Sequence, residues 1–377
     1  MSNTINLMLP NNLNIDDFKK SIPFISQEIK SFRIKDNCLI LELENSLKAP
    51  IVLQKTKDTI NKFSNLAKDS FVLFKSNSKI KREYNYKVVD NLNIKKITKN
   101  SISLHNNAAK LYAFFDWSFK NIALGLGAQI EQYPTMLPIE KYNKTSYLKT
   151  SPQYSIFCCN AIEDFTLLEK LHSSSPDELK TLISNPSSAL SPAACFHTYC
   201  CHESQTLNNE TIFTFNQAVF RNEGRFNWDD FGRLKDYHVR EIVFLGSEDF
   251  VRCKRGETIK KIIEFLKNIK LISTIVTAND SFVMPKMQKF KKIQIQEKSK
   301  YELLLNYEEN KRIAAASFNI HGTVFTNSFG INIKNVDNPV TGCVGFGLER
   351  WVLAFAAQYG WCDKNWPSIV QDYINKE

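Results

Sequence analysis

The spacing of apolar and polar residues in the first part of the chain mixes helix and strand patterns. From Ile15 to Phe32, apolar residues recur at steps of three and four, which predicts a helix that Pro23 splits. The run from Cys38 to Leu43 predicts a strand. A second helix pattern lies over 56–66 and a second strand pattern over 70–74. This order of elements indicates a small α/β unit.

The rest of the chain begins with one long helix pattern and is then dominated by strands. Helical spacing runs from Asn106 to Ile130, and strand patterns prevail from Phe213 onward. Between the two parts, the Lys- and Asn-rich stretch 76–100 is the best candidate for a linker. We therefore predict an α+β protein with an N-terminal α/β appendage and basic linker over 1–104 and a larger domain over 105–377.

Composition excludes several classes of protein. The chain has 377 residues, of which 43% are hydrophobic and 23% charged, as in folded globular proteins rather than disordered ones. No apolar run reaches the roughly 20 residues that a bilayer span needs, and the N-terminus lacks the pattern of a secretion signal. Nine cysteines without a regular framework fit a reducing compartment. We expect a cytoplasmic protein that does not contact membranes.

The net charge of +10 is concentrated in two stretches. Residues 51–100 hold 12 basic and 4 acidic side chains, and residues 251–300 hold 13 and 4. In contrast, residues 201–250 hold 5 basic and 9 acidic side chains. Two interpretations stay open: solvated lysine-rich faces, or surfaces that bind an acidic partner, either a protein or a nucleic acid.

A predicted hairpin carries the first candidate chemistry. Its strand patterns run over 218–224 and 233–244, and a polar loop joins them. Because side chains alternate along a strand, Arg221 and Glu223 share one face. An arginine there can bind a phosphate through two nitrogens, and the glutamate can accept from an amino group. The alternative is an ion pair on the surface of the hairpin.

A strand that carries spaced glycines and runs into an amphipathic helix is the second candidate. Gly345 and Gly347 would let a flat ring approach the strand closely. Arg350 lies in the first helical turn, where a cation opposes the helix dipole unless an anion such as phosphate binds there. Alone, this pattern is weak evidence for a nucleotide site.

Together, the two patterns resemble motifs 2 and 3 of the class II aminoacyl-tRNA synthetases, and 128–138 resembles motif 1, the dimerisation element of that family. Further segments are similar to the amino acid:[carrier protein] ligases, which resemble the catalytic core of the atypical, zinc-dependent seryl-tRNA synthetases. These segments are 192–199, 240–247, 278–280, 316–321 and 342–351. The resemblance covers roughly 106–366. It implies a class II synthetase-like antiparallel sheet flanked by helices, with the active site on the sheet face, and a homodimer.

The resemblance also implies an ATP site and two catalytic residues, Arg221 and Arg350. Arg221 would clamp the α-phosphate and stabilise the transition state, whereas Arg350 would hold the β- and γ-phosphates and cover the adenine ring. Arg233 would share the β- and γ-phosphates, Glu223 would accept from the adenine amino group, and Tyr237 would stack under the ring. The substrate carboxylate attacks ATP in line, so the arginines and Mg²⁺ are expected to act by positioning and charge neutralisation.

A zinc ion is implied as well, with Cys195, Glu241 and Cys343 as its ligands. Two thiolates and a carboxylate suit Zn²⁺, and three protein ligands leave a fourth position for the α-amino group of the substrate. The alternative from the residues themselves is two buried cysteines and a paired glutamate.

The amino-acid and Mg²⁺ region is less well defined by the resemblance. Ser317 and Asn319 match positions that line this region, and Glu302 could serve a polar role nearby. No acidic residue precedes Ser317 over 313–316, where the family usually has a metal-binding glutamate. The amino acid and the Mg²⁺ ligands therefore stay open.

The leading hypothesis is an AMP-forming ligase. It would activate a small amino acid as aminoacyl-AMP and transfer it to the phosphopantetheine thiol of an acyl carrier protein. The alternative is an atypical zinc-dependent seryl-tRNA synthetase, and a third possibility is a non-enzymatic paralogue. We do not expect tRNA as a partner, because 1–104 is short for the tRNA-binding domain of that group and lacks a basic stripe interleaved with aromatic residues.

Overall fold

A computed structural model describes residues 3–64, 71–77, 82–84, 88–89, 92–227, 232–280 and 282–376. The strands are β1 (Thr4–Met8), β2 (Ile29–Lys35), β3 (Cys38–Leu43), β4 (Val72–Lys75), β5 (Ile94–Thr98), β6 (Ser101–Leu104), β7 (Gln129–Ile130), β8 (Met136–Pro138), β9 (Ile156–Cys158), β10 (Ser188–Leu190), β11 (Thr206–Leu207), β12 (Thr211–Phe220), β13 (Asp236–Gly246), β14 (Ser273–Thr277), β15 (Lys300–Asn306), β16 (Arg312–Gly322), β17 (Asn332–Ile333) and β18 (Val340–Gly347).

The α-helices are α1 (Ile15–Ile25), α2 (Ala49–Phe63), α3 (Asn106–Leu124), α4 (Ile139–Lys144), α5 (Tyr147–Thr150), α6 (Phe165–Leu168), α7 (Pro176–Leu179), α8 (Phe196–Cys201), α9 (Glu248–Asn268), α10 (Gln288–Gln296), α11 (Val324–Phe329), α12 (Leu348–Tyr359) and α13 (Ser368–Ile374). Within the described part of the chain, no helix is both long and apolar enough to cross a bilayer.

The centre of the molecule is an eight-stranded sheet in the order β4-β14-β15-β16-β18-β13-β12-β7. Its neighbours pair antiparallel except for β12 and β7, which pair parallel. Helices α3, α9 and α12 cover one face and bury a large apolar core against it. The other face packs in part against α8, α11 and the small sheet β8-β10-β9. The predicted antiparallel sheet flanked by helices is confirmed.

The helix α12 is anchored tightly to the strand that leads into it. It begins at Leu348, directly after β18 ends at Gly347. The indole Nε1 of Trp351 donates to the Ala315 carbonyl at 3.0 Å, and the Phe119 ring stacks on Phe346 with centroids 4.3 Å apart. Because the helix is buried on nearly all sides, its first turn holds Arg350 in a fixed place above the sheet.

The N-terminal unit is a separate small sheet, β1-β3-β2, on which α1 and α2 pack. The predicted strand over 38–43 is confirmed as β3. The helix predicted from Ile15 to Phe32 ends at Ile25 instead, with Pro23 inside it, and extended backbone at Ser26 turns the chain into β2. Ile29 and Phe32 therefore lie in β2 and pair with β3. A spacing of three between apolar residues is not unique to helices, and here it occurs along a strand.

The segment that follows this unit contributes to the central sheet. Strand β4 pairs with β14 as the edge of the eight-stranded sheet, and β5 and β6 form a two-stranded hairpin before α3. The domain boundary at 104 stays a prediction. Within the stretch 76–100 proposed as a linker, Val88 and Ile94 are buried in the core of the larger domain, whereas 78–81, 85–87 and 90–91 lie outside the described residues.

Candidate functional site

A cleft of about 1080 Å³ opens on the face of the central sheet opposite α9 and α12. Strands β12, β13, β15, β16 and β18 form its floor, and α5, the start of α8 and part of the N-terminal unit contribute its walls. Every site residue nominated from the sequence lines this one cleft: Cys195, Arg221, Glu223, Arg233, Tyr237, Glu241, Glu302, Ser317, Asn319, Cys343 and Arg350. Their individual roles stay predictions.

Strand register explains why residues so far apart in sequence share one face. Glu241 on β13 lies opposite Gly345 on β18, and Gly345 lies opposite Ser317 on β16. Two residues along, Cys343 lies opposite Asn319. Since side chains alternate between the faces of a sheet, these pairings align the polar groups in rows across the cleft floor.

Two arginines at one end of the cleft are held by backbone carbonyl groups. Arg221 Nε donates to the Pro192 carbonyl at 2.9 Å. Arg350 donates from Nε to the Gly232 carbonyl at 2.9 Å and from Nη1 to the Ala314 carbonyl at 3.0 Å. Carbonyl oxygens fix the guanidinium groups without neutralising them, so both cations stay available to an anionic ligand.

The ring of Tyr237 lies within reach of both guanidinium groups. Its centroid is 6.0 Å from Arg221 Cζ and 5.1 Å from Arg350 Cζ. Burial alone would lower the pKa of Arg221, but the neighbouring Tyr237, Tyr147 and Glu223 hold that pKa above its usual value. Arg221 is therefore a permanent cation at the cleft floor. We call the cluster of Arg221, Tyr237 and Arg350 the arginine end of the cleft.

The loop of the hairpin shapes the rim of the arginine end. Glu223 and Arg233 stand on its two sides, and 228–231 between them lie outside the described residues. The Glu223 carbonyl accepts from Asn227 Nδ2 at 2.8 Å, which orders the ascending half of the loop. Gly224 has a φ of +85°, a conformation that favours glycine.

At another part of the floor, two thiols and a carboxylate form a buried cluster. One ligand atom each from Cys195, Glu241 and Cys343 lies within 4.8 Å of the others, and all three residues are buried. They come from three elements: Cys195 precedes α8, Glu241 lies on β13 and Cys343 on β18. We call this cluster the cysteine end of the cleft.

Burial makes the cysteine end unfavourable for negative charge. Burial raises the pKa of Glu241 to about 7. The pKa of Cys343 lies well above its usual value, because of its hydrogen bond with Cys195 and its burial. A Cβ on Gly345 would lie 2.7 Å from Glu241 Oε2, so the glycine makes the space that this carboxylate fills. A buried set of sulfur and oxygen donors of this kind could hold a metal cation, which would compensate the charges that burial disfavours.

Neutral polar groups surround the cysteine end. Asn319 Nδ2 donates to Ser317 Oγ at 3.2 Å and to Cys343 Sγ at 3.4 Å. His321 Nε2 lies 3.8 Å from the same sulfur, and burial lowers the pKa of His321 to about 4. His321 was not nominated from the sequence, although it lies in the quoted segment 316–321. Only the pairing of β16 with β18 brings it beside Cys343.

Glu302 does not stand free at the wall of the cleft. Lys300 Nζ lies 3.3 Å from Glu302 Oε1 and 2.8 Å from Asp280 Oδ1. Burial would raise the pKa of Asp280, but Lys300 and a hydrogen bond from Gln294 lower it to about 2. Lys300 was not predicted as a site residue, because its place in the sequence does not indicate that it contacts the loop of Asp280.

The N-terminal unit supplies one further cleft residue that the sequence did not indicate. Lys20, on α1, lines the cleft together with the residues of the larger domain. A lysine in an amphipathic helix is common and does not by itself indicate a binding residue. Lys20 reaches the cleft only because the N-terminal unit docks on the larger domain.

Comparison with known proteins agrees with this architecture. No protein-family model matches the chain. The type-2 serine–tRNA ligase of Methanococcus maripaludis is 30% identical over 263 residues, which cover 65% of this chain and 50% of that protein. The chain thus spans about half the length of the curated relatives it matches.

Two solved structures share the fold. Seryl-tRNA synthetase of Methanopyrus kandleri, solved in complex with tRNASec of A. aeolicus, superposes with a TM-score of 0.73 at 17% identity and covers 99% of this chain and 77% of that one. Cytoplasmic serine–tRNA ligase of Naegleria fowleri, in complex with AMP, gives 0.59 at 11% identity, with 88% and 72% covered.

The comparisons correct the leading hypothesis about the acceptor. The relatives are named serine–tRNA ligases, so the assignment as a carrier-protein ligase, with an acyl carrier protein as partner and no tRNA, was wrong. The motifs that suggested it lie in the core that the chain shares with these synthetases, and likeness in that core does not specify the acceptor.

The sheet order, the cleft on its open face and the similarity to these proteins lead to one conclusion. The chain has a class II aminoacyl-tRNA synthetase-like core.

Proposed function

We propose that the chain is an ATP-dependent serine–tRNA ligase that activates serine as seryl-AMP in the cleft and transfers it to tRNA. The observation that carries this proposal is the shared cleft floor. Two unneutralised arginines lie on the same sheet face as a buried thiol and carboxylate cluster. The name of the relatives, serine–tRNA ligases, supports serine as the amino acid and tRNA as the acceptor.

The first chemical step needs charge stabilisation rather than a base. A carboxylate oxygen of serine attacks the α-phosphorus of ATP, the bond from that phosphorus to the bridging oxygen breaks, and pyrophosphate leaves with the electron pair. Negative charge grows on the phosphate oxygens in the transition state, where Arg221 and Arg350 would stabilise it. Their carbonyl contacts hold them in place before the substrates bind, which lowers the cost of reorganisation.

The nucleoside would lie along the hairpin side of the arginine end. Glu223 would accept a hydrogen bond from the adenine amino group, and the Tyr237 ring would support the base. Arg233, across the loop from Glu223, would bind the terminal phosphates together with Mg²⁺. The described residues offer no ligand set for Mg²⁺ that can be assigned, so the phosphates of ATP are its expected main ligands.

Zinc would be held by Cys195, Glu241 and Cys343. When bound there, it would supply a Lewis-acidic position for the α-amino group of serine. The chain's own residues would do the rest of the selection. Asn319 and Ser317 offer neutral polar groups next to this position, which suit the hydroxyl of serine, and His321 stays neutral beside them.

In the second step, a ribose hydroxyl at the 3′ end of tRNA attacks the carbonyl carbon of seryl-AMP. AMP leaves and the hydroxyl proton is released, so that an ester bond replaces the mixed anhydride. A homodimer stays a prediction from the motif 1 resemblance.

Serylation of tRNA tests the proposal directly. Purified protein with ATP, Mg²⁺, labelled serine and total tRNA should give acid-precipitable seryl-tRNA, and omission of ATP should abolish it. Alanine and threonine in place of serine are matched controls for the amino acid. Formation of seryl-AMP without any charging of tRNA would contradict the second half of the proposal, and no adenylate with any of the three would contradict the first.

A further inference from the structure

The N-terminal unit is docked onto the loop of the catalytic hairpin. The Phe32 ring meets the Phe226 ring edge-on, with centroids 5.6 Å apart. Arg225 donates to the carbonyls of Gln27 at 3.1 Å and Ser26 at 3.2 Å. A Cβ on Gly224 would lie 2.6 Å from the Phe24 ring, so the backbone of the loop touches the helix α1 directly.

A single amide joins Lys20 to the residue proposed to bind adenine. Asn227 Nδ2 donates to the Lys20 carbonyl at 2.9 Å and to the Glu223 carbonyl at 2.8 Å. This bridge brings the last turns of α1 beside the rim of the arginine end. Lys20 consequently lines the same cleft as Arg221 and Arg233.

The charge around Lys20 is not balanced by its own ion pair. Lys20 Nζ lies 3.2 Å from Asp17 Oδ1, and Lys291 Nζ lies 2.8 Å from Asp17 Oδ2. Two ammonium groups therefore share one carboxylate, which leaves a net charge of +1 in this group of three. Lys291 is buried, with 5% of its side chain exposed, whereas Lys20 keeps 30% exposed. The uncompensated positive charge is thus presented by Lys20, at the wall of the cleft.

We propose that Lys20 is a further ATP-binding residue, which the N-terminal unit contributes to the cleft as a cation for the phosphates of ATP. This inference rests on the proposed function, because it takes ATP as the ligand of the arginine end. Asp17, pinned by buried Lys291, acts as a positioning residue that holds the Lys20 ammonium group while leaving it charged. The N-terminal unit is then part of the adenylation site as well as an appendage to it.

Binding of ATP and of adenosine to the full chain, measured by isothermal titration calorimetry, tests this assignment. Lys20→Ala should raise the Kd for ATP about tenfold, as expected for a charge-assisted contact, and leave the Kd for adenosine within twofold. Lys20→Arg should recover most of the affinity for ATP. Lys19→Ala is the matched control, since Lys19 is the exposed neighbour on the same helix and is not part of the cleft lining.

The outcomes separate this inference from the proposed function. If wild-type protein binds ATP and Lys20→Ala binds it equally well, Lys20 is not a phosphate ligand and the proposed function stands. Equal loss of affinity for ATP and adenosine in Lys20→Ala would show a merely structural role and overturn the assignment. Failure of wild-type protein to bind ATP would overturn both.

Discussion

The two ends of the cleft solve opposite electrostatic problems on one sheet. At the arginine end, the guanidinium groups of Arg221 and Arg350 are held by the carbonyls of Pro192, Gly232 and Ala314. At the cysteine end, burial raises the pKa of Glu241, and the hydrogen bond with Cys195 together with burial raises the pKa of Cys343, so their charged forms are disfavoured. The first end has its cations fixed by the fold, whereas a bound cation at the second would stabilise the donors that burial disfavours.

This difference suggests which ligand each end is built for. A set of fixed cations is preorganised for a polyanion such as ATP and gains most when negative charge grows in the transition state. A buried set of thiols and a carboxylate gains most from a soft divalent metal. The predictions below test this division by removing one end at a time.

The largest effect is expected at the arginine end. Arg221→Ala removes a fixed cation from the proposed α-phosphate site, so kcat of serine-dependent ATP–pyrophosphate exchange should fall about 10³-fold. Lys235→Ala, which removes an exposed cation just before β13, should leave the rate within twofold. A fall of less than tenfold in Arg221→Ala would show that this arginine does not serve the transition state.

A smaller and more selective loss is expected at the cysteine end. If the cluster holds zinc as proposed, Cys343→Ser should lower the zinc content and reduce the exchange rate about 10²-fold through weaker binding of serine, while the Kd for ATP stays unchanged. Elemental analysis and calorimetry give the two readouts. Cys201→Ser, which alters an exposed thiol, is the control. If Cys343→Ser kept its full zinc content, the cysteine end would not be the metal site, and the proposed division between the two ends would be wrong.

A substitution that crowds Glu241 tests the cysteine end without replacing any of the proposed zinc ligands. Gly345→Ala would put a methyl group 2.7 Å from Glu241 Oε2, so the carboxylate must shift and the KM for serine should rise about tenfold. Gly256→Ala on α9 meets no atom within 4 Å and should instead stabilise the helix by about 0.5–1 kcal/mol. Unchanged serine kinetics in Gly345→Ala would show that the position of this carboxylate is not critical.

The smallest effect is expected on stability, from a pair of residues on the opposite face of the sheet, away from both ends of the cleft. The Glu349 carboxylate accepts from the His238 ring at 2.9 Å, and this hydrogen bond raises the pKa of His238 above its usual value. The raised pKa contributes stability that is fully present below the unfolded value of about 6.5 and is lost as the pH rises through the folded value.

His238→Gln should therefore lower the free energy of unfolding more at pH 6 than at pH 9. The difference should stay below about 1 kcal/mol, because half of the His238 side chain is exposed and solvent screens the pair. Denaturant unfolding at the two pH values measures it. A larger loss at pH 9 than at pH 6 would contradict the sign of the linkage.

Local sequence patterns predicted the parts of the site that local structure builds. The hairpin forms as predicted, but β12 ends at Phe220, so Arg221 and Glu223 lie just beyond the strand and the predicted strand over 218–224 was too long. The strand that runs into the helix of Arg350 is one continuous segment, in which alternation determines which residues share a face. The same patterns resembled the class II synthetase motifs, and that resemblance predicted the sheet and its flanking helices. Such segments fold as the sequence suggests because the relevant contacts lie within one or two neighbouring elements.

Contacts between segments that are distant in the chain could not be predicted from the sequence. Lys300 meets Asp280 only because β15 pairs beside the loop after β14, and Lys20 reaches the cleft only because the N-terminal unit docks on the hairpin loop. The acceptor was assigned wrongly for a related reason: the motifs resemble those of a shared core fold, and that resemblance alone does not distinguish tRNA from a carrier protein as the acceptor. Neither kind of information is carried by periodicity or spacing.

Amino-acid-dependent ATP–pyrophosphate exchange, run with each of the twenty amino acids, is the most direct test of serine activation in the cleft. It reports formation of the adenylate without requiring tRNA, and it requires both ends of the cleft to be occupied. We expect exchange with serine that exceeds the rate with alanine or threonine at least about tenfold, and loss of that exchange in Arg221→Ala. Exchange with none of the twenty, from protein that carries its full complement of zinc, would contradict this expectation.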